Sequence, residues 1–524
     1  MGNADRWRRS PFVTLMGKTV ELEPRAAEPT LNLALDTLAK NKQAFVFLNT
    51  KRSAEKTAED IAKKVKEETE HAVELSEQVL KALQKPTHQC ERLAKCVRKG
   101  IAFHHAGLHS RQKELIEDHF RKGVIKIICC TPTLAAGVDL PAFRAIIRDL
   151  KRYTGQGMSP IPVLEFLQMA GRAGRPSFDS YGEAIVVAAS EGEKDALFEK
   201  YVRGLPEDIY SKLAVEPVLR TYVLSLIAAQ VVKTHEQVIE FFSRTFWAQQ
   251  FKEMNKLGRI VEKMLAMLAE WEFIQKFEES YRATVLGRRI AELYIDPLTA
   301  HQFVLGLDRA GGVKIKPLSW LHLIGCTLEM RPHLRVRAKE YDDIQEQLAL
   351  HSSTFLLPEP SMFEPEFEEY LHGFKTALML QEWTEEKDEE FLLERYDVRP
   401  GETRAKLTTG DWLLYGLGEI ARIRQKMELL KDIQKMRFRL RYGVKEELLA
   451  LLRLTGIGRM RARSLFRAGI KDLGDVRKAE LGQLEQVLGR KIAASVKKQV
   501  GENVPDLDTL PVPSANKFAQ WEKE

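Results

Sequence analysis

The stretch Gln168-Met169-Ala170-Gly171-Arg172-Ala173-Gly174-Arg175-Pro176 holds residue types suited to handling a polyanion. Read as a helix, it places Gln168, Arg172 and Arg175 at i, i+4 and i+7, on one face. Each interior glycine costs a helix about 1 kcal/mol, so the two glycines predict a close approach to the backbone. An amide and two guanidiniums with no carboxylate suit a triphosphate, because guanidinium forks match phosphate oxygens. The alternative is a solvated basic helix end.

Short apolar runs around this stretch must position it. Gln43 to Thr50, Ile101 to Gly107, Val124 to Cys130, Ala142 to Ile147 and Glu183 to Ala189 read as buried strands separated by helical segments. Ser53 is placed to cap a helix over Ala54 to Lys66, and residues 67–99 read as a charged helical insertion on the surface. Alternating strands and helices predict a doubly wound parallel sheet with function at the carboxyl ends of its strands. The glycine-bearing turns His104 to Gly107, Thr131 to Pro141 and Gln168 to Arg175 all fall there, which favours the polyanion reading. Between the fourth strand and the arginine stretch, Gly155-Gln156-Gly157 reads as a hairpin turn with Tyr153 and Met158 near an exposed tip. An ordinary surface hairpin would look the same.

Beyond residue 195 the pattern turns helical. Residues 213–285, with a small strand pair at Phe273-Ile274 and Arg282 to Thr284, fit a winged helix. Residues 290–440 read as all-helical, interrupted by a proline-bearing acidic stretch from Leu357 to Glu366. There Thr408-Thr409-Gly410-Asp411 reads as the opening of a helix carrying Trp412, Tyr415 and Arg422. Trp412 is either core packing or a platform for a stacked base. Residues 441–500 hold 14 Lys/Arg and 6 Asp/Glu, a local balance of +8 against +7 for the whole chain. Leu454-Thr455-Gly456-Ile457-Gly458 leading into Arg459, Arg461 and Arg463 is a Gly-x-Gly hairpin whose amides can hold a phosphate without reading a base.

At 524 residues, 30% charged and 44% hydrophobic, the chain is long enough for several domains. Five cysteines without a CxxC pair predict reduced thiols, with Cys129 and Cys130 in the core. No apolar run reaches about 18 residues and no signal-peptide core opens the chain, so a soluble cytoplasmic protein is expected. Gly17-Lys18-Thr19 mimics the end of a phosphate loop, but Phe12 stands where that loop needs glycine, and it is read as chance.

Thr131 to Pro141 followed by Gln168 to Pro176 resembles motifs V and VI of superfamily-two helicases. Phe47 to Arg52 and Phe103 to Leu108 resemble motif IV and the motif after it in the Ski-two-like branch. The hairpin with Ile161-Pro162-Val163, the helix with Gly410 to Leu413 and the Gly-Ile-Gly-Arg hairpin resemble the archaeal Hjm/HelQ-type DNA helicases, in domain order over residues 30–500. The resemblance implies a lead-in at 1–29, a second RecA-like lobe at 30–194 with a strand-separating hairpin at about 148–163, and a winged helix at 195–289. A helical ratchet domain at 290–440, a helix-hairpin-helix domain at 441–502 and a tail at 503–524 follow.

It also implies roles. Arg172 and Arg175 would be arginine fingers at the γ-phosphate of ATP, with Gln168 beside them and Gly137 and Asp139 at the nucleotide. Thr50, Arg52, His105, Thr131 and Thr133 would meet the tracking strand, and Tyr153 and Met158 would part the duplex. Arg404 and Trp412 would stack on the strand, and Arg459, Arg461 and Arg463 would grip it on exit. The expected partners are single-stranded and forked DNA, met by a monomer near the nucleoid in replication-coupled repair and recombination by 3′→5′ translocation.

One departure is large. The sequence shows neither Gly-x-x-x-x-Gly-Lys-Ser/Thr nor an Asp-Glu-x-His box. A first lobe holding ATP and Mg²⁺, about 170–200 residues on usual domain sizes, is expected upstream or as a separate chain. Without it the chain is expected not to hydrolyse ATP. A DNA-binding protein that has lost its motor, and an RNA helicase of the same superfamily, are the alternative readings.

Overall fold

The computed structural model describes residues 12–15, 18–83, 85–135, 138–154, 157–174, 179–213, 215–252 and 254–501. Among these the chain divides into two compact units. One runs from residue 12 to Asp208 and takes in Val398–Glu402; the other holds Ile209–Asp397 and residues 403–501.

The first unit opens with an antiparallel hairpin, β1 (Phe12–Leu15) and β2 (Lys18–Glu21), in which Leu15 pairs with Lys18. Lys18 and Thr19 therefore lie in a strand, not in a loop leading to a helix, as their reading as chance requires. Five strands then form one parallel sheet: β3 (Ala44–Phe47), β4 (Ile101–His104), β5 (Ile127–Cys130), β6 (Arg144–Ile147) and β9 (Glu183–Val186), in the order β4-β5-β3-β6-β9. All five were legible in the sequence. Four of them, β3, β4, β5 and β6, are buried at every residue, which is why they read as unbroken apolar runs. Phe45 in β3 stands between Ile128 of β5 and Ala145 of β6. Arg144, which opens β6, is buried and joins neighbouring elements by bonds to Glu183 and Asp36.

Two readings of this unit change. Thr50, not Ser53, caps the helix after β3: its hydroxyl accepts from the Ser53 amide at 3.0 Å, and the helix runs over Lys51–Ala62. Residues 67–99 are not a surface appendage. The helices Glu70–Leu80 and His88–Val97, capped by Thr69 and Thr87, bury Leu75, Val79, Leu93 and Val97 in the core of the sheet domain. Their many charges lie on the outer face, and that dominated the sequence pattern.

In the second unit the helices Glu216–Ala228, His235–Ser243 and Met254–Glu270 precede an antiparallel wing, β10 (Ile274–Phe277) and β11 (Ser280–Ala283). A helical body follows, including Pro317–Gly325, Glu366–Thr384 and Met427–Tyr442, with Trp320, Phe355 and Phe374 fully buried. The helix Pro400–Ile423 opens within the first unit and continues into this one. Residues 444–500 have a separate small core, from Val444 and Leu448 to Val496 and Val500, built by four short helices. No helix among the described residues is long and apolar enough to cross a membrane.

Candidate nucleotide and nucleic-acid site

The carboxyl rim of the sheet is built from β5 outward. Thr131 follows β5, is buried, and donates its amide to the His104 carbonyl at 3.3 Å. Its hydroxyl lies 2.9 Å from that of Thr133, which is exposed in the short 3₁₀ turn Pro132–Ala135. Gly137 lies outside the described residues, and Asp139 beyond it is exposed.

Arg172 reaches this turn. Its Nε donates to the Ala135 carbonyl at 3.0 Å, and its two terminal nitrogens donate to the carbonyls of Val138 and Ala135. One guanidinium thus spans both sides of the loop that carries Gly137. Three of its five N–H donors bond carbonyls of this loop, so it clamps the turn.

The arginine stretch is not one helix face. The helix Val163–Ala170 stops at its cap, Gly171. Ala173 then bridges to Ala142, and Gly174 takes a positive φ of 97°. A Cβ on Gly182 would come within 2.4 Å of the Gly174 Cα, so two glycine backbones pack directly there. The glycines end the helix instead of weakening its interior, which removes the energetic puzzle of the sequence reading. Gln168 is exposed in the last helical turn, Arg172 sits in the turn after it, and Arg175 lies outside the described residues.

His105 requires a correction. It was expected to meet a nucleic-acid strand, but it is fully buried. Its Nδ1 accepts from the Gly107 amide at 3.1 Å, its Nε2 lies 3.1 Å from Glu55 Oε1, and its ring stacks on Phe103. An Nδ1 that accepts leaves Nε2–H as the donor to Glu55. Glu55 is the buried hub of this cluster. Gln89 donates to it at 2.7 Å, Arg92 at 2.8 Å and Arg399 at 3.2 Å. Burial opposes its charge, but the bonds from His105 and Gln89 and the Arg399 guanidinium outweigh that and bring its pKa down to about 2. Burial also lowers the His105 pKa, against the pull of Glu55. Thr50 and Arg52, at the start of the helix that carries Glu55, are exposed.

The hairpin forms as β7 (Lys151–Thr154) and β8 (Gly157–Pro160). Tyr153 pairs directly with Met158, and they are 67% and 60% exposed. Arg152 ties the hairpin to Glu165 of the helix Val163–Ala170 at 2.6 Å. An apolar pair held out in solvent on a tethered ribbon is suited to inserting between bases.

In the second unit, Asp411 does not open a helix. It lies inside Pro400–Ile423, fully buried, and accepts from Arg437 at 3.0 Å and Arg441 at 3.0 Å. Trp412 is partly buried, and its indole N–H donates to the Leu293 carbonyl at 3.0 Å, so packing accounts for its donor edge. Arg404 lies two turns earlier on the same helix and is half-buried.

The three hairpin arginines also separate. Arg459 lies over the Trp383 ring at 5.0 Å. Arg463 is paired with Glu386 at 2.8 Å and Glu447 at 2.7 Å, and these bonds hold its pKa above the usual arginine range. Arg461 is exposed, with one nitrogen on the Gly456 carbonyl at 2.8 Å. The basic balance of this region therefore overstates the charge that the hairpin presents.

Sequence reasoning missed Glu55, Arg399 and Trp383, and it read Asp411 as part of a helix start, not as the buried partner of two arginines. For Glu55 a signal existed: Ala58 and Ala62, three and seven residues on, are buried, so a carboxylate there sits on a buried helix face. Arg399 carries no such mark, because its partner lies 344 residues away. Among the described residues no group of three or more His, Cys, Asp and Glu side chains is assembled to hold a metal ion.

Three family models match the chain. The helicase conserved C-terminal domain covers residues 29–177, a helix-turn-helix domain residues 182–275, and domain 4 of archaeal helicases residues 318–443. The chain is 39% identical over 481 residues to the ATP-dependent DNA helicase Hel308 of Pyrococcus abyssi, covering 90% of this chain and 66% of the relative. It is 38% identical over 488 residues to the protein of the same name from Methanocella arvoryzae, covering 90% and 65%. The chain thus spans just under two thirds of the length of the curated relatives it matches. It is a homologue of the Hel308-type archaeal superfamily-two DNA helicases, with a RecA-like conserved C-terminal helicase domain ahead of winged-helix and archaeal helical domains.

Proposed function

We propose that this chain supplies the second RecA-like lobe and strand-guiding domains of an ATP-dependent 3′→5′ DNA helicase of the Hjm/HelQ kind, acting on forked or branched DNA in replication-coupled repair and recombination. The observation that carries this reading is the Arg172 clamp. It unites the turn between Thr131 and Asp139 with the end of the helix bearing Gln168 at the carboxyl rim of a parallel sheet. Bound ATP would supply the phosphoryl group whose hydrolysis drives translocation. On this chain, Gln168, Arg172, Arg175 and Asp139 would orient it and offset charge at its γ-phosphate and ribose. Arg172 would do so while holding its loop, which couples the nucleotide face to Thr131 and Thr133 on the strand side.

These residues fit one side of a nucleotide. The described residues assemble no carboxylate site for Mg²⁺, and the 524 residues contain no Gly-x-x-x-x-Gly-Lys-Ser/Thr loop to hold the phosphates. A first lobe would supply both. The domain division proposed with this reading is 30–194, 195–289, 290–440 and 441–502.

The test is to mix the chain with a separately produced first lobe of a relative and follow ATP hydrolysis with and without single-stranded DNA. The chain alone is expected to be inactive. The mixture should show DNA-stimulated hydrolysis that Arg175→Ala abolishes. Hydrolysis by the pure chain, also lost in Arg175→Ala, would sink the half-site reading. Tight binding to forked DNA with no rescue would favour a DNA-binding protein without a motor, and equal unwinding of a matched RNA fork would remove the restriction to DNA.

A further inference from the structure

The hairpin of β7 and β8 stands on a buried base. At its feet the Ile161 amide donates to the Leu150 carbonyl at 2.9 Å, and both side chains are buried. A later segment of the same compact unit holds those feet. Phe198–Val202 makes a single π-helical turn, a distortion common at functional positions, and it carries Tyr201. Tyr201 is 1% exposed. Its hydroxyl donates to the Ile161 carbonyl at 3.0 Å, with the Leu150 carbonyl 3.4 Å away, and its ring lies against Phe166 with centroids 5.0 Å apart. Phe166 belongs to Val163–Ala170, the helix that holds Gln168 in its last turn. That helix is capped by Pro162, which offers its first amides no side-chain acceptor, and Glu207 supplies one: its carboxylate accepts from Val163 at 2.6 Å and Leu164 at 3.2 Å. Glu165 of the same helix accepts from Arg152 of β7 at 2.6 Å. The hairpin is thus fastened to one helix at its buried base and again along an exposed strand.

We propose that Tyr201 and Glu165 are positioning residues for this hairpin. Tyr201 fixes its base, and Glu165, through Arg152, fixes its angle against Val163–Ala170. Tyr153 and Met158 then meet the first base pair of a fork as a rigid wedge. This rests on the reading of the chain as part of a helicase whose hairpin parts the duplex. Tyr201 is too buried to touch DNA, and Glu165 carries a charge that phosphates repel. Both act by pre-organising the two side chains that do meet the bases. Parting a base step works against stacking, so a wedge that yields leaves the step closed.

The experiment binds the full chain, without nucleotide, to a DNA fork carrying 2-aminopurine at the first paired position, where unstacking raises the fluorescence. Oligo-dT affinity and chemical unfolding are measured beside it. Saturating unsubstituted chain should raise the signal, and Tyr153→Ala should bind the fork without that rise. Tyr201→Phe deletes one hydroxyl and keeps the ring. It should lower the open-to-closed ratio at the junction by about fivefold, the scale of one hydrogen bond, with oligo-dT affinity unchanged. Glu165→Arg should also lower the ratio. Combining it with Arg152→Glu rebuilds the pair in reverse and should restore part of the signal, a recovery that loss of a DNA contact by Arg152 would not give. A full junction signal in both Tyr201→Phe and Glu165→Arg would overturn the positioning role. A signal that falls only in step with oligo-dT affinity would also overturn it, by showing a general structural effect. If Tyr201→Phe does not fold, the charge-swap series decides: no loss in Glu165→Arg, or no recovery in the double variant, overturns the role. Fork binding by the unsubstituted chain with no rise in fluorescence would instead overturn the strand-separating reading of the hairpin, and no binding of the fork would overturn the functional reading itself.

Discussion

A carboxylate with four donors and almost no contact with water behaves differently under acid from a surface glutamate. The folded pKa of Glu55, about 2, lies below its ordinary value of 4.5. Its ionised form therefore favours the folded state above pH 4.5, and that contribution is lost as pH falls from about 4.5 through 2, with a full value of roughly 3 kcal/mol. His105 adds to the trend, since a folded pKa below 6.5 means that protonation favours unfolding as pH drops under 6.5. Denaturant unfolding midpoints measured from pH 7 to pH 3 should begin to fall for the unsubstituted chain below about pH 6.5 and fall more steeply below about pH 4.5. Glu55→Gln should start lower at pH 7 and change less over that acid range. Parallel curves would remove Glu55 from the acid response. This cluster also shows where the residue-scale reading ran out. Phe103 to Leu108 was legible as a rim turn, but periodicity cannot tell whether a histidine at a strand end faces solvent or a buried acid contributed by another helix. That required the positions of Lys51–Ala62 and of a segment some 300 residues later.

Among the elements, strands were easier to read than helix ends. Four of the five parallel strands, β3 to β6, are buried on both faces, so their apolar runs carried their own boundaries to within a few residues. Helix starts depended on which of several polar residues becomes the cap. Thr50 displaced Ser53, and Thr408 to Asp411, with every mark of a helix start, lies in the interior of Pro400–Ile423. The reason is tertiary. Gly410 packs against Leu440, where a Cβ would come within 2.7 Å of Leu440 Cδ2, and Asp411 is occupied by Arg437 and Arg441 of the neighbouring helix Met427–Tyr442. Removing one side of such a buried ionic cluster leaves charge without a partner. Asp411→Ala should cost roughly 3–5 kcal/mol in chemical unfolding, well above most surface substitutions. If instead the variant unfolds within about 0.5 kcal/mol of the unsubstituted chain, the two arginines reach water once the carboxylate is gone, and the cluster is not what joins the helices.

For the whole molecule, net charge is a poor guide to nucleic-acid contact because ion pairs within the protein consume it. The region from 441 to 500 carries +8, yet Arg463 is neutralised by Glu386 and Glu447, Arg441 by Asp411, and Arg459 lies on Trp383. Arg461 is the member of the hairpin trio that faces solvent. Each phosphate contact to a single strand contributes about 0.7 to the slope of log affinity against log salt. If Arg461 makes one such contact, Arg461→Ala should lower that slope by about 0.7 and leave the unfolding midpoint close to that of the unsubstituted chain. Arg463→Ala should do the reverse: it strands two carboxylates beside each other, so it should lower the unfolding midpoint while the salt slope stays nearly constant. Titrating oligo-dT at several salt concentrations, alongside chemical unfolding of both variants, separates these outcomes. A slope that falls equally in both would mean that strand binding opens the Glu386–Arg463–Glu447 cluster and recruits its arginine. The charge available to DNA would then be set by a competition between phosphates and carboxylates, and not by the exposed residues of the unbound chain.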